Sequence, residues 1–133
     1  MTTEFMMLLG AVALYFLLSL GPAVTALVQN GFFKLLGSRD DVAPRSGKSA
    51  RADRALANHG EALMMFAPVV LVADALGVQT DLTKLGAEIF LGGRVAHAIC
   101  YLLGIPVVRS LSYTAGMVGI GMIAYEVISR TVL

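Results

Sequence analysis

Arginines and other polar residues recur at helical spacing inside two otherwise apolar stretches of the chain. In the first stretch they fall three or four residues apart: Arg51, Arg54, Asn58 and Glu61. At 100° per residue these side chains share an arc of roughly 80° on one helix face. Guanidinium groups are natural bidentate receptors for carboxylates. The pattern therefore predicts a helix face that binds charged groups.

The second apolar stretch repeats the arrangement on one of its own faces, with Arg94, His97 and Tyr101. The next stretch then opens with further polar residues: Arg109, Ser110 and Tyr113. A charged residue at mid-membrane costs about 2.5–3.5 kcal/mol on the insertion scale, so both polar faces should point into the bundle or toward water. A structural ion pair needs only two residues, whereas the two polar faces and the start of the next stretch together contain at least seven. We therefore predict that these residues converge on one site.

Each of these residues also has a purely structural interpretation. Arg51 and Arg54 would reach the membrane surface and contact anionic head groups. Glu61 would pair with Arg94 or Arg54 only to hold helices together. His97 would be a histidine whose hydrogen bonds are satisfied inside the bundle. The remaining polar residues of this region, Asp53 and His59, fall off the main polar face and are expected at the membrane interface.

The composition of the chain is that of a membrane protein. Its 133 residues are 57% hydrophobic and only 14% charged, with a mean hydropathy of +0.78. Soluble domains usually carry about 25% charged residues. The net charge of +1 argues against a nucleic-acid-binding protein. The single cysteine, Cys100, cannot form an intramolecular disulfide. We also expect no metal site.

Four apolar stretches account for nearly the whole chain and predict one all-α transmembrane domain over residues 1–133. The expected helices cover about 5–28, 51–76, 82–103 and 110–128, with a polar loop at 34–50. Gly77, Gly104 and Pro106 mark helix ends. The sequence therefore predicts an integral-membrane four-helix bundle.

Charge distribution and small residues predict orientation and assembly. Lysines and arginines are concentrated in and beside the first loop: Lys34, Arg39, Arg45, Lys48, Arg51 and Arg54. The first and third loops should therefore face the cytoplasm, with both termini on the opposite side. Small residues recur on the fourth helix at Ser112, Ala115, Gly116 and Gly119. Such spacing lets helices approach closely, so this stripe is expected to join subunits.

Two segments of the chain resemble a known family. The first, from Arg51 to Pro68, has the pattern Arg-x-x-Arg-Ala-x-x-Asn-x-x-Glu followed by an apolar run with Phe66. It resembles the second-helix signature of the MAPEG family, the membrane-associated proteins in eicosanoid and glutathione metabolism. The second, from Arg94 to Thr114, resembles the end of the third helix and the start of the fourth in the same family. The resemblance covers the whole chain in length and helix layout, and the short chain is typical of bacterial members.

The resemblance implies a homotrimer that binds glutathione as co-substrate between neighbouring subunits near the cytoplasmic face. The arginines of the second helix, Arg51 and Arg54, would bind the carboxylates of glutathione, and Glu61 its amino group. Other residues implied to line the pocket are Asn58, Arg94, His97, Tyr101 and Tyr113. Arg109 would be catalytic and would stabilise the thiolate.

The activity implied by the resemblance is that of a glutathione-dependent transferase or peroxidase-like enzyme of the bacterial inner membrane. Its other substrate would be a lipophilic electrophile that enters from the lipid. A non-catalytic family member with a structural or lipid-binding role is the alternative. A small four-helix exporter is disfavoured, because such exporters usually carry an acidic residue inside the first span and Phe5 to Val28 has none.

Overall fold

Four long helices and one short helix make up the part of the chain that the computed structural model describes, residues 1–38, 40, 42 and 44–131. They are α1 (Thr3–Asn30), α2 (Phe32–Leu36), α3 (Gly47–Ala75), α4 (Asp81–Leu103) and α5 (Pro106–Thr131). The four long helices pack as a bundle, and each is long and apolar enough to cross a membrane. The prediction of an all-α membrane four-helix bundle is confirmed.

The region around the expected loop 34–50 differs from the prediction. The short helix α2 occupies its beginning, and α3 already starts at Gly47. Arg39, one of the basic residues used to predict the orientation of the first loop, lies outside the described residues, as do positions 41 and 43. The start of α3 is fastened by an ion pair between Arg45 and Asp53.

Local sequence sets the ends of the long helices. The hydroxyl of Thr2 accepts a hydrogen bond from the backbone nitrogen of Phe5 and so caps α1. Thr80 and Thr83 form a capping box at the start of α4. Gly104 ends α4 in the left-handed conformation, with φ of 77°, and α5 begins at Pro106. This tight α4–α5 turn holds the residues that follow it close to the end of α4.

The apolar core lies between the four long helices, with Ala11 of α1 fully buried in it. Phe66 of α3 stacks on Phe90 of α4 with ring centroids 3.8 Å apart, and Ile123 of α5 is fully buried in the same cluster. At one end of the bundle, the Thr83 hydroxyl donates to the buried carboxylate of Glu4, with 2.5 Å between the oxygens. The outer surface of α1 exposes large apolar side chains, as expected for contact with lipid.

Helices α4 and α5 pack most closely, through a seam of glycines. A Cβ atom at Gly119 would overlap the carbonyl oxygen of Gly86 and lie 2.8 Å from the backbone nitrogen of Phe90. A Cβ atom at Gly93 would lie 2.9 Å from the carbonyl oxygen of Ser112. The small-residue stripe of α5 is therefore used for packing inside the subunit. The interpretation of this stripe as a surface that joins subunits is wrong, because Ser112, Gly116 and Gly119 are buried against α4.

Replacing Gly119 with alanine should destabilise the bundle, because the new methyl group meets backbone atoms that cannot turn aside. We expect a loss of about 1–3 kcal/mol in unfolding free energy, the usual range for overpacking. The matched control is Gly121→Ala on the same helix, where a Cβ atom would meet nothing within 4 Å. Thermal unfolding of both variants in one detergent checks the prediction. Equal midpoints for the two variants would show that the seam is loosely packed.

Candidate functional site

An open pocket of about 390 Å³ lies where α3, α4 and α5 meet beside the α4–α5 turn. Its lining comes from all three helices: Asn58, His97, Tyr101, Arg109, Ser110, Tyr113 and Thr114. A volume of this size falls within the range of small-molecule sites. Its lining contains no acidic residue among those described.

Arg109 is placed over an aromatic ring in this pocket. Its guanidinium carbon lies 4.9 Å from the ring centroid of Tyr101, a cation–π distance. Because α5 begins at Pro106, Arg109 also sits in the first turn of the helix, where the helix dipole favours anions. The structure shows no ion pair between Arg109 and any acid in the described ranges. The guanidinium is therefore held in place while its charge remains available.

Aromatic contacts order the deeper part of the pocket. The imidazole of His97 is buried, with its centroid 5.5 Å from the ring of Tyr101 and 6.0 Å from that of Tyr113. These residues come from α4 and α5, so the closely packed α4–α5 pair builds this wall. The predicted convergence of His97, Tyr101, Arg109 and Tyr113 is thus present within one chain.

Arg94 lies behind the pocket and is 1% exposed. It donates from Nη2 to the Asn58 Oδ1 atom at 2.8 Å and from Nε to the His59 Nδ1 atom at 3.3 Å. Its Nη1 atom has no hydrogen-bond partner among the described residues. The suggested structural pair between Glu61 and Arg94 is not formed, because the Arg94 partners are Asn58 and His59.

The polar face of α3 divides between the pocket and the surface. Asn58 lines the pocket, whereas Arg54 and Glu61 are exposed on the outside of the chain. Arg51 is half-buried, and its guanidinium lies against Gly104 at the end of α4. One chain by itself therefore brings only one of these four α3 residues into the pocket.

The sequence interpretation of His59 was wrong. This residue was expected at the membrane interface, yet it is 1% exposed, and its Nε2 atom lies 2.8 Å from the carbonyl oxygen of Ala11 in α1. The helical wheel places His59 off the main polar face, but α1 packs against that side of α3. Ser110 also lines the pocket, as expected from its place in the polar set, although it was not among the residues implied to bind glutathione. Thr114 lines the pocket as well and was missed; its position four residues after Ser110 on the same helix was the available signal.

The comparison with known families agrees with this layout. The model of the MAPEG family matches residues 5–129, nearly the full chain. The chain belongs to the MAPEG family. A search of curated proteins finds no match to this chain. MAPEG proteins are generally associated with glutathione, and the family includes glutathione transferases and peroxidases along with other members.

The charge of this MAPEG site favours an anionic ligand. Arg109 is in the pocket, Arg94 is directly behind it, and neither has an acidic partner in the described part of the chain. Within the same part, no group of three or more His, Cys, Asp or Glu side chains is placed to hold a metal ion. The positive charge on the described lining of the pocket is that of Arg109.

Proposed function

We propose that the protein is a membrane-bound, glutathione-dependent transferase or peroxidase-like enzyme that acts on lipophilic electrophiles. The observation that carries the proposal is the placement of Arg109 in a pocket that it shares with Asn58, His97 and Tyr101. Arg109 forms no ion pair with an acidic residue among those described. A guanidinium next to a thiol favours the charged form and so lowers the thiol pKa. MAPEG membership makes glutathione the thiol that this pocket is proposed to bind.

In the proposed reaction, Arg109 stabilises the glutathione thiolate, which attacks the electrophilic atom of the second substrate. A sulfur–carbon bond forms as the leaving group departs with the electron pair of its former bond. A hydroperoxide would instead be attacked at its terminal oxygen: an S–O bond forms, the O–O bond breaks, and the alkoxide leaves with the electron pair and takes up a proton to give the alcohol. A second glutathione then reduces the resulting sulfenic acid, which gives the disulfide and water. Exposed apolar side chains beside Arg109, including Val108 and Leu111, support approach of the second substrate from the lipid.

We further propose that the protein is a homotrimer in which a neighbouring subunit completes the site. Arg54 and Glu61 support this, because both are exposed on a helix that crosses the membrane. Charged groups that face lipid are costly, whereas a subunit interface would give them partners. Arg51 and Arg54 would then hold the carboxylates of glutathione, and Glu61 its ammonium group.

A thiol titration tests the proposed function. Glutathione added to the purified protein in lipid nanodiscs should bind and produce thiolate ultraviolet absorbance. S-methylglutathione is the matched control, because it keeps the carboxylates and the ammonium group but cannot ionise at sulfur. It should bind without the absorbance change. Absence of both binding and thiolate would favour the alternative, a non-catalytic MAPEG member with a structural or lipid-binding role.

The proposed orientation in a bacterial inner membrane gives a separate prediction. Single cysteines at Ser46, before α3, and at Gln79, before α4, should react with an impermeant maleimide from opposite sides, because one long helix separates them. The positive-inside rule places Ser46 in the cytoplasm and both termini on the other side. Labelling is done in a Cys100→Ala background on intact cells and on inverted vesicles. Reaction of both positions from one side would contradict the orientation.

A further inference from the structure

A chain of hydrogen bonds connects the backbone of α1 with the pocket. It runs from the carbonyl group of Ala11 to His59, from His59 to Arg94, and from Arg94 to Asn58. Both inner members, His59 and Arg94, are 1% exposed. The chain therefore crosses three helices without reaching the surface until Asn58 enters the pocket wall.

The direction of every bond in this chain is fixed by the groups at its ends. A carbonyl oxygen only accepts, so the His59 Nε2 atom must carry the hydrogen that it gives to Ala11. The Arg94 Nε–H group only donates, so the His59 Nδ1 atom must be the acceptor. These requirements define a neutral imidazole with its hydrogen on Nε2.

The same reasoning orients the amide of Asn58. A guanidinium has no acceptor, so the Asn58 oxygen must face Arg94. The Asn58 NH₂ group is then left for the pocket that this residue lines. With Arg94 in this position, Asn58 therefore presents a hydrogen-bond donor to the pocket.

We propose that His59 is the positioning residue of the pocket: it fixes Arg94, which in turn fixes Asn58 as a hydrogen-bond donor to an anionic or carbonyl group of the bound thiol peptide. The peptide identity rests on the proposed function. Because His59 and Asn58 are both neutral in this arrangement, neither of them cancels the positive charge of Arg94. The Nη1 atom of this buried guanidinium also has no hydrogen-bond partner among the described residues.

The first experiment needs no ligand. His59 and His97 are the histidines of the chain, and Asn30 and Asn58 are its asparagines, so selective ¹³C and ¹⁵N labelling gives few signals to assign. Nuclear magnetic resonance should show His59 with its hydrogen on Nε2, and a downfield shift of the Asn58 side-chain carbonyl carbon, because its oxygen accepts a hydrogen bond from Arg94. His59→Leu should move that carbonyl signal upfield. A His59 ring protonated on Nδ1, or an Asn58 carbonyl signal at the same position in both proteins, would overturn the proposal.

The second experiment measures glutathione binding for His59→Leu and for His59→Gln, which keeps one acceptor and one donor. Loss of one oriented hydrogen bond to a charged group should weaken binding about tenfold in the leucine variant. The thiolate absorbance at saturation should persist, since Arg109 is unchanged. Glutamine should restore most of the affinity. Phe66→Leu changes a buried core residue of the same helix that takes no part in the hydrogen-bond chain, so it controls for lost packing and should leave the affinity unchanged.

A double variant separates positioning from general structural damage. In an Asn58→Ala background, His59→Leu should weaken glutathione binding no further, because the group that it positions is gone. Additive losses would overturn the proposal. If the wild-type protein binds no glutathione, the proposed function fails. The nuclear magnetic resonance experiment needs no ligand and still decides whether His59 orients Asn58.

Discussion

Replacing Arg109 with leucine should remove most of the thiolate absorbance of bound glutathione and lower conjugation of a generic electrophile about 10- to 100-fold. A free thiol is only a few per cent ionised at neutral pH, and a neighbouring guanidinium makes the thiolate a major fraction. Arg109 is the charged residue among those lining the pocket, so its removal should return the thiol to its ordinary ionisation. Thiolate difference absorbance and the conjugation rate at saturating glutathione measure the effect.

The affinity for glutathione should change little in Arg109→Leu, because the proposed contacts to its carboxylates and ammonium group are made elsewhere. Arg109→Lys retains the charge but not the planar guanidinium that lies over Tyr101, so it should keep part of the signal. Lys48→Leu is the control for a lost positive charge, since Lys48 is exposed on α3 and outside the pocket lining. A full thiolate signal and full rate in Arg109→Leu would exclude this residue as the stabilising group.

The fold was accessible from the sequence because its signals are local. Apolar stretches of membrane-spanning length locate the long helices, and Gly104 with Pro106 marks the turn between α4 and α5. The short helix α2 was missed, because five residues carry too little periodicity to distinguish a helix from a loop. The pocket wall was also predictable. His97 and Tyr101 share one face at the end of α4, and Arg109 and Tyr113 share one face at the start of α5, on the two sides of that turn.

The remaining features depend on which neighbour each helix face meets, and one helix cannot reveal that. The glycine stripe of α5 is equally suited to a second subunit or to α4, and it packs on α4. His59 was placed at the interface because its contact, the carbonyl group of Ala11, belongs to a helix that is distant in sequence. Periodicity places Arg54 on the same arc as Asn58, yet only Asn58 reaches the pocket of its own chain.

Arg54→Leu should have the opposite kinetic effect from Arg109→Leu. Removing a charge-assisted hydrogen bond to a carboxylate should weaken glutathione binding about 10- to 100-fold. The thiolate absorbance at saturation should persist, because Arg109 is retained. Calorimetric titration and the conjugation rate at rising glutathione concentrations measure the two effects separately. A variant that binds glutathione as wild type but forms no thiolate would reverse the proposed assignments of these arginines.

Mixing the two variants tests whether the site is shared between subunits. Arg54 is exposed on its own chain while Arg109 is inside the pocket, so a shared site would take Arg54 from one subunit and Arg109 from its neighbour. An Arg54→Leu subunit beside an Arg109→Leu subunit then forms one intact site wherever each supplies the residue that the other lacks. Random coassembly should restore about a quarter of the wild-type sites in a closed ring of identical interfaces. If each subunit supplied both arginines to its own site, every site in the mixture would lack one of them and coexpression would restore nothing. Activity of the coexpressed, tandem-affinity-purified complex, compared with a mixture of separately purified variants that cannot exchange subunits, distinguishes these outcomes.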